Sequence, residues 1–204
     1  MTDIQFDEAT HTYTVDGKEI PGVTDILKTL GLSKDYTGID PFYRDRGKAF
    51  HLAAEYYFKG TLDESTLDTV IVPYFDDFRK WLLLNPSIFM SGVEKVFYSK
   101  EFNFCGTVDL ITPNSIIDYK CSKSHDPVAE LQGALYKVLV EENMTLCLPF
   151  SVLQICGDGN PQEFPYEAHR GLAVSVMRLF WDWKMKGKEW KHGKPSRLTD
   201  SKKS

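Results

Sequence analysis

FCGTVDLITPNSIIDYKC, residues 104–121, holds two short apolar runs, each interrupted or ended by one aspartate. Asp109 breaks the run Val108, Leu110, Ile111, and Asp118 follows the run Ser115 to Ile117. Both runs read as strands, and Pro113-Asn114 between them reads as a turn that lays them side by side. Side chains two apart on a strand share a face, so Asp118 and Lys120 point one way and Tyr119 the other. Two carboxylates then converge beside one ammonium. Carboxylates at the end of an apolar sheet are costly unless a cation or hydrogen bonds compensate them. A hard divalent ion meets that need, and Lys120 can stabilise a deprotonated attacking water or the charge developing on a phosphate. The same pattern also fits strand-end charges that face solvent, with Lys120 as a salt-bridge partner.

Position is what singles out this triplet. Five Asp/Glu-x-Lys triplets occur, beginning at Asp16, Asp118, Asp182, Glu189 and Asp200. Asp16 lies in a turn, Asp182 on a helix where residues two apart diverge, and the last two in a basic tail. Only Asp118 follows an apolar strand.

Working outward, FDEATHTYTVDGKEIPGVT alternates around Asp16-Gly17 and reads as a β-hairpin, followed by a helix from Val23 to about Leu30. Asp40-Pro41 opens a helix that runs to about Phe58, and a third helix is expected from about Ser65 to Leu84 with a kink near Pro73. SGVEKVFYS supplies a strand before the two central ones. Asp126-Pro127 caps a helix over VAELQGALYKVLVEE, after which PFSVLQIC and QEFPYE read as strands and residues from about Ala168 to Lys186 as a final helix. Helix, three strands, helix, strand implies a mixed sheet with helices against it.

The chain has 204 residues and a net charge of −5, with eight Lys or Arg against two acids from Lys184 to Ser204, which leaves −11 for residues 1 to 183. That balance argues against a general polyanion binder, so any nucleic-acid surface must be local. The expected organisation is one domain over residues 1–190 and a flexible basic tail over 191–204. No apolar run approaches a membrane span, and the acidic start is unlike a secretory signal, so a cytoplasmic location is expected. Cys105, Cys121, Cys147 and Cys156 form no CxxC pair and read as reduced, mostly buried thiols.

GTVDLI, then IIDYK, then QGALY resembles the PD-(D/E)XK nuclease superfamily, in the RecB-type branch that includes phage exonucleases. The match is Gly106 to Asp109, Asp118 to Lys120, and Gln132 with Tyr136, in the branch's order, and RGKAFH ending at His51 resembles its upstream histidine element. It spans the opening hairpin to about Cys156. The resemblance implies a restriction-endonuclease-like α/β core, a central mixed sheet flanked by helices, with the N-terminal hairpin and helical elements. It implies Mg²⁺ or Mn²⁺ held by His51, Asp109, Asp118 and the Tyr119 backbone carbonyl, with Asp109, Asp118 and Lys120 catalytic. Glu94, on the strand before, is a further metal-ligand candidate. Gln132 and Tyr136, four apart on one helix face, would position the strand and the lysine. Arg44 and Lys48 share a helical face with His51 and would meet phosphates, while Ala49, Phe50, Ala53 and Tyr56 form the opposite side. Without the resemblance, that polar face reads as solvated. Some relatives carry an iron–sulfur cluster, but no cysteine precedes Cys105, so none is expected here. The function implied is a metal-dependent DNA exonuclease, phage-encoded, for recombination or DNA degradation during replication, with DNA and a recombination or replication protein as partners. The alternatives are a structure-specific endonuclease of the same chemistry and a non-cutting subunit that binds DNA ends.

Overall fold

The computed structural model describes residues 2–33, 40–86, 92–123, 126 and 128–185. The start of the chain forms three antiparallel strands, β1 (Ile4–Asp7), β2 (Thr12–Val15) and β3 (Lys18–Ile20), in the order β1-β2-β3. The expected hairpin at Asp16-Gly17 is β2–β3, where both residues take positive φ. The preceding strand β1 pairs along β2 from Ile4↔Val15 to Asp7↔Thr12, an addition to the expected element. Asp7 drives the intervening turn by accepting from Ala9 and Thr10 amides.

Helix α1 (Val23–Thr29) follows, and α2 (Pro41–Phe58) starts as its sequence dictates, with the Asp40 carboxylate accepting from the Phe42 amide and Pro41 in the first turn. The long third helix is corrected. Residues 64–66 form a short 3-10 turn capped by Asp63, and α3 spans Val72–Leu84. Pro73 lies in the first turn of α3, where a missing N–H costs nothing, so it starts the helix rather than kinking it.

A five-stranded mixed sheet of order β4-β5-β6-β7-β8 forms the centre: β4 (Gly92–Ser99), β5 (Phe104–Ile111), β6 (Ile116–Lys120), β7 (Phe150–Gln154) and β8 (Gln162–Tyr166). Only β6 and β7 run parallel, and α4 (Ala129–Met144) makes the crossover between them, as a parallel pair requires. The final helix α5 spans Arg170–Met185, and residues 186–204, with the basic tail, lie outside the described residues. One face of the sheet packs Phe104, Val108, Ile116, Phe150 and Val152 against α1, α4 and α5. The other packs Leu110, Ile117, Tyr119 and Leu153 against Phe50, Ala53 and Ala54 of α2 and Phe75, Phe78 and Trp81 of α3.

Gly133 on α4 is set by packing. A Cβ there would stand 2.2 Å from the Phe150 ring, far inside van der Waals contact. Because overpacking typically costs ~1–3 kcal/mol, Gly133→Ala is expected to lower the melting temperature by several degrees. Calorimetry against Gly47→Ala, a helical position on α2 where a Cβ would meet nothing within 4 Å, isolates the crowding from the helix-propensity change.

The cysteines are all free, but only Cys105 is buried, and Cys147 is exposed. Expecting mostly buried thiols overlooked that Cys147 lies on the exposed link from α4 to β7. Among the described residues no helix is long and apolar enough to cross a membrane.

Candidate metal and catalytic site

The site lies where three strands of the central sheet lose their regular pairing. Strands β5 and β6 pair only at Ile111↔Ile116 and Leu110↔Ile117. The next step of that register would set Asp109 opposite Asp118, and there the ladder stops. On the other side of β5, Val93↔Leu110 and Lys95↔Val108 flank an unpaired position where Glu94 faces Asp109. Glu94 has φ +44, a left-handed backbone that costs a non-glycine residue on the order of 1–3 kcal/mol. The alternation of faces slips at the same level. Val108 and Leu110, two apart, pack on opposite sides of the sheet. A kink spanning β4 and β5 thus turns Glu94 and Asp109 together.

Helix α2 completes this side. His51 is half-buried, with Nδ1 3.3 Å from Glu94 Oε1 and 3.7 Å from Asp109 Oδ1. Its ring lies against Tyr119 with centroids 5.5 Å apart. Ligand-type atoms of His51, Glu94 and Asp109 all fall within 4.8 Å of one another. The second oxygen of Asp109 accepts from the Tyr119 amide at 2.8 Å, which ties β5 to β6 across the splayed ladder.

Asp118 and Lys120 occupy the other side, facing α4. Lys120 Nζ stands 2.8 Å from Asp118 Oδ2 and donates to Gln132 Oε1 at 3.3 Å. Gln132 Nε2 donates to Asp118 Oδ1 at 3.2 Å and to Tyr136 Oη at 2.9 Å. Gln132 therefore holds both members of the Asp-x-Lys pair at once. Asp118 Oδ2 is fully enclosed and, apart from the Lys120 ammonium at 2.8 Å, meets no donor, so it keeps a lone pair to spare.

Electrostatics follow from the crowding. Burial, reinforced by the Asp118 and Glu94 charges, pushes the Asp109 carboxyl up to about 7, even though His51 pulls it down. Burial works against the His51 imidazolium, but Asp109 and Glu94 outweigh it and hold His51 up to about 9. Burial likewise opposes the Lys120 ammonium, and Asp118 and Asp109 overcome it, so Lys120 sits above the ordinary lysine value. The His51 and Lys120 cations thus offset part of the negative charge crowded at the site.

The donor set fits a divalent cation. Carboxylate oxygens, one imidazole and an enclosed oxygen with spare lone pairs suit Mg²⁺, or Mn²⁺ where the imidazole takes part. Of the expected ligands, His51 and Asp109 come together with Glu94, which is more central than the sequence alone suggested. Asp118 stands next to this trio and not inside it. The backbone kink at Glu94 has no signature in residue type, because glutamate is not a left-handed former.

Tyr136 is 6% exposed, so its contact is with Gln132 inside the protein. Arg44 and Lys48 are both exposed on α2, and Arg44 pairs with its neighbour Asp45. Of the residues placed opposite the polar face, Phe50 and Ala53 are buried, joined by Ala54, whereas Ala49 and Tyr56 are exposed. The buried stripe of α2 is narrow because α3 and the sheet meet only that edge. Sequence reasoning missed Arg46, whose Nη2 donates at 2.6 Å to the carbonyl of Cys121, the residue after Lys120. An arginine within an apparently solvated helix carried no local signal for such a contact.

No family model matches this chain. No curated protein matches it either. Solved structures similar to it include a protein from Eubacterium rectale named "Putative exonuclease", at 15% identity and a TM-score of 0.47, covering 79% of this chain and 71% of that one. Another is the structure of SSO0001, at 15% identity and a TM-score of 0.37, with 72% of each chain covered. Neither likeness is close enough to assign an activity.

Proposed function

We propose that this protein is a Mg²⁺- or Mn²⁺-dependent deoxyribonuclease that hydrolyses phosphodiester bonds from DNA ends, phage-encoded and used in recombination or in degrading DNA during replication. The observation that carries the reading is the convergence of Glu94, Asp109 and His51 beside the Asp118–Lys120–Gln132 network at one splayed point of the sheet.

His51, Glu94 and Asp109 would hold the ion, with Asp118 and the Tyr119 carbonyl completing its surroundings. A divalent ion there supplies positive charge to the scissile phosphate and acidifies water. Asp118 and Asp109 favour the protonated form of Lys120, whose ammonium would stabilise negative charge on the phosphate or the attacking water. Gln132 fixes that ammonium and Asp118 relative to each other, and Tyr136 fixes Gln132. Arg44 and Lys48, on the exposed face of the helix that carries His51, contact backbone phosphates, which position a strand without reading its sequence.

Attack from ends is tested by topology. Linear DNA is expected to be digested to short products while covalently closed circles, single- or double-stranded, persist under the same Mg²⁺ conditions. Gel analysis of equal amounts of each decides it. Early cutting of circles would replace the exonuclease with an endonuclease, and no cutting with either metal would favour a subunit that only binds DNA ends.

A further inference from the structure

Phe42 and Tyr43 open α2 with 47% and 55% of their surface exposed, edge to face with ring centroids 5.6 Å apart. One turn on, the Arg46 guanidinium lies 5.9 Å from the Phe42 ring centroid, 5.2 Å from that of Tyr43 and 4.6 Å from that of Tyr74. Arg46 thus sits among three rings while its Nη2 holds the Cys121 carbonyl. Its Nε is enclosed without an acceptor, and the charge of the guanidinium is met by ring faces and a neutral carbonyl. The aromatic pair is thereby fixed relative to the end of β6, one residue beyond Lys120.

Two features select the occupant. The stretch from Tyr43 to His51 carries Arg44, Arg46 and Lys48 against Asp45 alone, in a chain whose net charge is −5. At ~100° per residue Arg46 lies between the two rings while Arg44 and Lys48 lie beyond Tyr43, and cations flanking exposed rings match a polyanion with flat faces better than an apolar protein surface. Stacking of bases on aromatic side chains is worth ~1–3 kcal/mol per base and tolerates any sequence, with arginine adding to it. Tyr43 precedes His51 by eight residues, about 12 Å along the helix at 1.5 Å per residue. That reach corresponds to ~3 stacked nucleotides at ~3.4 Å each.

We propose that Phe42 and Tyr43, backed by Arg46, form a stacking platform for an unpaired base of the strand being cut, a few nucleotides from the scissile phosphate. The proposal rests on the nuclease reading and gives its substrate class as single-stranded ends, because paired bases hide the faces that the rings would cover.

The test compares the wild type with the double variant Phe42→Ala, Tyr43→Ala by fluorescence anisotropy of a labelled single-stranded oligonucleotide, with Ca²⁺ in place of Mg²⁺. Oligonucleotides with one abasic residue at successive positions serve as the second probe. The double variant is expected to bind about tenfold more weakly. The wild type is expected to lose a similar factor at one or two abasic positions, and the double variant nothing further at those positions. Equal binding by the two proteins, equal abasic penalties, or no binding by the wild type would overturn the platform. A dimer of the wild type that the double variant loses, seen by light scattering, would also overturn it, since the rings would then cover a second copy. Cleavage of the same oligonucleotides with Mg²⁺ or Mn²⁺ is read separately. Wild-type binding with the abasic pattern but no cutting would sink the nuclease reading and leave the platform standing.

Discussion

Asp118→Asn is expected to lower the cleavage rate by about 10³-fold or more, because a charge-stabilising metal site contributes several kcal/mol to the transition state and ~1.4 kcal/mol is a factor of ten. The substitution keeps the shape of the side chain and removes its negative charge. Gln132 can still meet an asparagine, and Lys120 retains Gln132 and the charge of Asp109, so the fold has no reason to fail. Binding of DNA, which depends on phosphate contacts elsewhere, is expected to change little. The measurements are single-turnover digestion of end-labelled DNA in saturating Mg²⁺, anisotropy for binding, and a melting curve. A near wild-type rate would mean that Asp118 is only the salt-bridge partner of Lys120.

The fold was legible wherever one residue type forces one local geometry. Asp40-Pro41 marks a helix start because a carboxylate caps free amides and proline tolerates the first turn, and α2 begins there. Asp118 and Lys120 share a face because strands alternate, and both do meet Gln132. Pattern could not show where regularity fails. The slip in β5 moves Val108 and Leu110 to opposite faces, and the left-handed turn of β4 falls on a glutamate. Both are departures from regular strand geometry that leave no trace in composition. Consequently the Glu94–His51–Asp109 grouping was only partly visible, and Glu94 emerged as central from its backbone. Asp118 illustrates the converse. Its position was readable, but its engagement by Lys120 and Gln132 depends on the approach of α4, set by Gly133 against Phe150 and by Gly106, whose Cβ would crowd Leu139 and Val23 at 2.8 and 2.9 Å.

Lys120→Met separates the two halves of the site. Lys120 is no metal ligand, since a protonated ammonium offers no lone pair, yet it touches Asp118 Oδ2 at 2.8 Å and competes with a cation for that oxygen. Removing it therefore has opposite effects on two measurable quantities. Affinity for Mn²⁺, read by isothermal titration, is expected to rise or hold, because Asp118 loses its internal counter-charge and a buried carboxylate left alone is costly. The cleavage rate is expected to fall by about 10²–10³-fold, the usual loss when one preorganised charge-stabilising donor is removed. Raising the metal concentration will not restore it. A Glu94→Gln variant should behave the other way, with weaker metal affinity and a rate that recovers as Mn²⁺ is raised, since it lacks one ligand charge and keeps the ammonium. If the Lys120→Met rate instead recovered at high Mn²⁺, Lys120 would serve only to place Asp118. The charge stabilisation assigned to its ammonium would then have to come from the exposed arginine and lysine of α2.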